Sequence, residues 1–146
     1  MTLQEQAIQF RQVFNQEILP NISHYGFIKK KLWDMQIRLI DEEFQEFGEA
    51  AEQCFADPEN ADRRTELLKE LADLVFVCYQ FASAFGLDLD KAMALIFESN
   101  MSKLDEQGKA IFRPDGKVLK GPNYAPPDLT SCVPSNHSNL YDTYGK

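Results

Sequence analysis

Apolar side chains recur along most of this chain at intervals of three and four, the period of a helix with one buried face. Leu3, Ala7, Phe10, Phe14 and Leu19 set that rhythm, and Pro20-Asn21 ends it, so a first helix is expected over about 3–19. A loop with Tyr25-Gly26 follows. Trp33, Ile37, Ile40, Phe44, Phe47, Ala51 and Cys54 then alternate by fours and threes. That continuous stripe suits helix packing and predicts a second helix over about 28–56, broken by Asp57-Pro58-Glu59-Asn60. The third pattern, about 61–85, is apolar around most of its circumference and stops at Gly86, a residue type favoured just past a helix end. Asp88 suits the N-cap of a fourth helix over about 89–104.

After residue 104 the rhythm is lost. "AIFRPDGKVLKGPNYAPPDL" has two short extended segments around Pro114-Asp115-Gly116, a turn signal, and predicts a small hairpin at about 110–120 and a proline-pinned arm. Residues 130–146 are polar and aperiodic and read as a flexible tail. The expected fold is all-α: one four-helix bundle domain over 1–129, with a short C-terminal β-hairpin and an extended arm. Three other helices do not suffice to cover so apolar a third helix, so a homodimer or homotetramer is expected.

Composition narrows the function. The 146 residues suit one domain, and 44% hydrophobic residues supply a core. The net charge of −8 argues against nonspecific nucleic-acid binding, but not against a phosphate substrate if metal ions intervene. Cys54, Cys78 and Cys132 are odd in number and widely spaced, which reads as reduced thiols in the cytoplasm. The start, MTLQEQAIQFRQ, does not resemble a signal peptide. Leu71–Leu87 is interrupted by Asp73, Gln80 and Ser83, so a buried helix is expected there and not a membrane span.

The candidate chemistry lies in carboxylates. In "LIDEEFQEFGEAAE", Asp34, Asp41, Gln45 and Glu52 share the wet face of the second helix. Glu43 points instead with Leu32, Leu39 and Ala50, and Glu46 lies between Glu43 and Glu42 around the helix. Glu42, Glu43 and Glu46 thus form an arc turning from the surface into the core. On the third helix Glu70 and Asp73 are spaced i, i+3 and converge on one side. Like charges about 4 Å apart repel by roughly 4 kcal/mol at an effective dielectric of 20. Few basic residues lie nearby in sequence. An all-oxygen cage of this kind suits Mg²⁺ or Mn²⁺. Zinc usually recruits His or Cys, and a ferritin-like di-iron site wants Glu-x-x-His pairs; His24 and His137 fit neither pattern.

Glu42-Glu43-x-x-Glu46 followed by Glu70-x-x-Asp73 resembles the E-E-x-x-E … E-x-x-D signature of the MazG-like all-α nucleoside triphosphate pyrophosphohydrolases. Relatives in that group are the all-α dUTPases and the phosphoribosyl-ATP pyrophosphohydrolases. "RLIDEE", "FGLDLDKA", "SNMSKL" and "DGKVLKGPNYAPPDL" extend the resemblance over about Leu32–Leu129. The resemblance implies Mg²⁺-dependent hydrolysis between the α and β phosphates, yielding a nucleoside monophosphate and pyrophosphate. It implies Glu42, Glu43, Glu46, Glu70 and Asp73 as metal ligands, with a glutamate of the Glu42–Glu46 group as the general base; the catalytic candidates are Glu43, the leading one, and Glu46. Asn100-x-x-Lys103 also resembles a family feature, suited to phosphate contact.

Arg113, Lys120 and Tyr124 of the arm are further candidates for phosphate binding, and Trp33 and Gln36 for bordering a base pocket. Two other readings stay open: hydrolysis of phosphoribosyl-ATP, and a non-catalytic helical oligomer that binds a structural metal.

Overall fold

Thr2 opens the first helix. Its hydroxyl accepts from the Glu5 N–H at 3.2 Å, and the Glu5 carboxylate accepts from the Thr2 N–H at 2.6 Å. This capping box satisfies donors that a helix start otherwise leaves orphaned. The computed structural model describes residues 1–19 and 29–133. Its helices are α1 (Leu3–Val13), α2 (Lys30–Ala56), α3 (Ala61–Ala84) and α4 (Leu89–Met101), with a single 3₁₀ turn at Thr130–Cys132. The fold is all-α, with four helices and no sheet among the described residues. It divides into two compact units, Met1–Leu87 and Asp88–Val133. No single helix among the described residues is long and apolar enough to cross a membrane.

In the first unit, α3 packs against both α1 and α2. Helix α1 stops six residues short of the expected Leu19. The cause is Asn15, which takes a left-handed φ of 53°. The Gln16 N–H then reaches the Arg11 carbonyl at 2.8 Å and the Asn15 N–H the Gln12 carbonyl at 3.2 Å. Those two bonds make a Schellman ending, which asparagine tolerates better than most residues. Leu19 keeps its place in the core from non-helical chain, donating its N–H to the Ala84 carbonyl at 2.8 Å and packing with Ala84 and Phe85.

The polar interruptions of α3 serve its contact with α1. Gln4 Nε2 donates to Ser83 Oγ at 2.7 Å, and Gln80 Nε2 to the Ala7 carbonyl at 3.3 Å. Arg11, only 1% exposed, donates to Gln80 Oε1 at 3.2 Å and to the Glu17 carbonyl at 2.9 and 2.7 Å. Burial lowers the Arg11 pKa to about 10, against the opposing pull of Glu17. Paired in this way, the buried polar groups escape the desolvation cost of unmatched ones.

In the second unit, the Asp88 side chain caps α4 by accepting the Lys91 N–H at 3.0 Å, and the Asp88 N–H donates to the Cys132 carbonyl at 2.9 Å. Residues 130–133 are therefore bound to the start of α4 and are not part of a free tail; the remainder of the expected tail lies outside the described residues. Helix α4 ends at Met101, not near residue 104. There the Ser102 hydroxyl turns back to the Ser99 carbonyl at 2.7 Å, and the Lys103 and Leu104 amides close i to i−3 bonds. The expected hairpin reduces to one antiparallel bridge, Phe112 with Val118, around a turn with Gly116 at φ 88°.

Candidate active site

Helix α2 contributes Glu43 and Glu46 one turn apart, and α3 brings Glu70 against them. Ligand oxygens of the three carboxylates all lie within 4.8 Å of one another. Glu46 is exposed, Glu43 half-buried and Glu70 only 5% exposed. Glu43 Oε2 and Glu70 Oε2 are buried without any hydrogen-bond partner. Burial first, and then the charges of Glu46, Asp73 and Glu70, raise the Glu43 pKa above its ordinary value; Lys69 pulls the other way. The donor set is entirely oxygen, and two acceptors lack donors. This fits a hard divalent cation such as Mg²⁺ or Mn²⁺.

Two residues absent from the sequence reading stand at the same place. Lys69 Nζ donates to Glu70 Oε1 at 2.8 Å and lies 3.3 Å from Asp73 Oδ2. The expectation that these carboxylates lack nearby compensation is therefore corrected: the cation comes from α3 itself. Lys69 is the main cause that lowers the Glu70 pKa, and burial opposes it. The Lys69 pKa is raised in return, chiefly through the bond to Glu70. The side chains of Glu66 and Glu46 stand beside Glu70 as well and add to the lowering of its pKa. The i, i+4 spacings of Lys69 with Asp73 and of Glu66 with Glu70 were the available signals.

The other candidates fall in several places. Glu42 is exposed and outside the group of three. Gln36 is 3% exposed with Oε1 unpartnered, on the face of α2 that carries Glu43, about 10 Å along the axis. Trp33 packs edge-on against Phe81, centroids 5.1 Å apart, and at 5.0 Å from Phe85. That contact explains its place in the apolar stripe.

Asn100, Lys103, Arg113, Lys120 and Tyr124 belong to the second unit. Lys103 Nζ donates to Asn100 Oδ1 at 2.6 Å, and Lys120 Nζ lies 4.5 Å from the centre of the Tyr124 ring. Arg113 is engaged by Asp115 within its own turn, with Nε at 2.8 Å from Oδ1 and Nη2 on Oδ2. The arm is strapped to the end of α4: the Ala125 N–H donates to Ser102 Oγ at 2.9 Å, Ser99 Oγ to the Ala125 carbonyl at 2.8 Å, and the Gly121 N–H to the Lys103 carbonyl at 2.9 Å.

Residues 7–100 match the protein-family model for phosphoribosyl-ATP pyrophosphohydrolase, well over half of the chain. The match begins within α1, which carried no resemblance in the sequence, and ends before the arm. Fold and carboxylates together define the class, the MazG-like all-α pyrophosphohydrolases. Within that class the chain belongs to the phosphoribosyl-ATP pyrophosphohydrolase family. The comparison with curated proteins returned no match.

Proposed function

We propose that the protein hydrolyses (deoxy)nucleoside triphosphates at the α–β phosphoanhydride, releasing a nucleoside monophosphate and pyrophosphate, with Mg²⁺ as cofactor and Mn²⁺ as a substitute. One observation carries the reading: two buried carboxylate oxygens without donors, in a group of three from two helices. Glu43, Glu46, Glu70 and Asp73 would hold the cation, with the exposed Glu42 as an outer ligand. When bound, the ion supplies polarised phosphate oxygens and a more acidic water.

Glu43 is favoured over Glu46 as the base. Its surroundings already raise its affinity for a proton, which suits it to take one from attacking water. The buried, unpartnered Gln36 Oε1 supports a role in accepting from the amino edge of a base. Asn100, Lys103, Lys120 and Tyr124 are the proposed phosphate contacts; Arg113 contributes by shaping the turn.

A second reading, hydrolysis of phosphoribosyl-ATP, shares this chemistry and is favoured by the family match. The test is pyrophosphate release from each NTP, dNTP and phosphoribosyl-ATP, with Mg²⁺ and with chelator. Turnover of phosphoribosyl-ATP alone selects the second reading, and no metal-dependent release from any of them refutes both.

The proposal includes a homodimer in the reducing cytoplasm. Leu68 (67% exposed), Leu71 and Val75 on α3 line an open groove of about 400 Å³ with Phe76 and with Leu3 of α1. A second copy seated there buries the apolar face that α3 showed in sequence. A monomeric mass in light scattering refutes this part.

A further inference from the structure

Lys69 is the one cation among the described residues that forms ion pairs with the candidate ligands. Its position is unusual. Neighbours i and i+1 point about 100° apart around a helix and do not share a face. The lysine therefore folds back across its own helix to place Nζ 2.8 Å from the buried Glu70, while also reaching Asp73 at 3.3 Å. Its side chain is 55% exposed and Asp73's 44%, whereas Glu70's is 7%. So the ammonium enters from solvent, on a flexible stem, to cap a carboxylate that solvent barely reaches.

We propose that Lys69 is a resident counter-cation of the carboxylate site: it neutralises Glu70 and Asp73 while the site is metal-free, and it competes with a divalent cation for them. The inference rests on the reading of these carboxylates as a cation site. An ammonium has three donors and no acceptor, so it cannot coordinate a metal. A carboxylate oxygen engaged by it presents less free electron density to an incoming ion, and the two positive charges repel. The oxygens on the inner side, Glu70 Oε2 and Glu43 Oε2, are the ones Lys69 leaves without a partner. The lysine thus satisfies the outer edge of the site and leaves the inner edge open. With more than half its side chain in water, it can swing away with little loss of packing once a divalent ion takes over the compensation of the buried Glu70 charge.

The effect is a weaker but more exchangeable metal site, in a protein that stays folded without metal. A unit charge about 5 Å from a divalent ion changes affinity by about tenfold even at the dielectric of water.

The test is calorimetric titration of Mn²⁺ into the full chain, without nucleotide, comparing the parent with Lys69→Met, Lys69→Arg and Glu70→Gln. Thermal unfolding of each is followed in chelator and in Mn²⁺. Lys69→Met is expected to bind Mn²⁺ about tenfold more tightly than the parent, to melt lower in chelator, and to gain more from Mn²⁺. Lys69→Arg is expected to stay near the parent. Lys69→Gln repeats the comparison if the methionine variant does not fold. Equal or weaker Mn²⁺ binding after loss of the lysine charge overturns the proposal and leaves an ordinary surface ion pair.

The Glu70→Gln control separates the two levels. If the parent binds Mn²⁺ and Glu70→Gln does not, the cation site stands and the Lys69 variants judge Lys69 alone. If the parent binds no Mn²⁺, both readings fall.

Discussion

Replacing Glu43 by glutamine should make the metal-free protein more stable and the enzyme nearly inactive. Glu43 faces Glu46 and Glu70 with ligand oxygens no more than 4.8 Å apart. A pair of like charges at that distance repels by about 3.5 kcal/mol at an effective dielectric of 20 and about 0.9 kcal/mol in bulk water. Glu43 is half-buried, Glu46 lies in water and Lys69 offsets part of the field, so solvent screening cuts the figure toward its lower end. About 1–2 kcal/mol remains as the cost of ionising Glu43 in the absence of metal. Glutamine keeps the shape, removes the charge and offers its amide as a donor to a neighbouring carboxylate. For a chain of this length that gain corresponds to a melting temperature about 3–6 °C higher in chelator. Adding Mg²⁺ should then reverse the order of effects: the parent gains stability by binding, and Glu43→Gln gains less. Pyrophosphate release should fall by about 100-fold or more, the usual contribution of a lost general base. The assays are scanning fluorimetry in chelator and in Mg²⁺, with pyrophosphate release measured on the same preparations. A Glu43→Gln protein that melts below the parent in chelator, or that gains as much from Mg²⁺, refutes the reasoning. Its carboxylate would then be stabilising the fold, not waiting for a cation.

Other outcomes follow from the same structure. The folded state binds a proton at Glu43 more tightly than the unfolded state does, so metal-free stability should fall as pH rises from the ordinary 4.5 through the raised Glu43 value. Glu70 is shifted the other way by Lys69, so its contribution should be lost as pH falls through its lowered value; urea denaturation against pH should show both limbs, and Glu43→Gln should lack the upper one. Gly121→Ala would place a Cβ 2.5 Å from the Leu104 carbonyl oxygen and 2.6 Å from that of Lys103. Backbone must move there, at about 1–3 kcal/mol, and hydrogen exchange should report loss of protection at the Ala125 amide with α3 unchanged. Arg11→Ala removes the donors to Gln80 Oε1 and the Glu17 carbonyl, and a loss of about 3 kcal/mol in urea unfolding is expected.

The apolar rhythm located α2 and α3 to within one or two residues because both are long and continuously packed, so many positions vote on one period. It overran α1 because periodicity registers burial and not helicity: Leu19 is buried, but from chain already turned by Asn15. The polar residues of α3 show the converse limit. Gln80 and Ser83 looked like flaws in an apolar helix, yet each bonds a specific group on α1 that no spacing rule discloses. The acidic motifs were legible because i, i+3 spacing fixes which carboxylates share a face, and Glu43, Glu46 and Glu70 do meet. Lys69 was legible only in part: its i, i+4 spacing with Asp73 was there to read, but its contact with Glu70 joins adjacent residues that an ideal helix points apart. A residue reaches such a partner only when the local field is strong enough to bend a flexible side chain against its usual direction. The carboxylates that identified the site are therefore also what draws its cation into a contact, with Glu70, that spacing alone does not disclose.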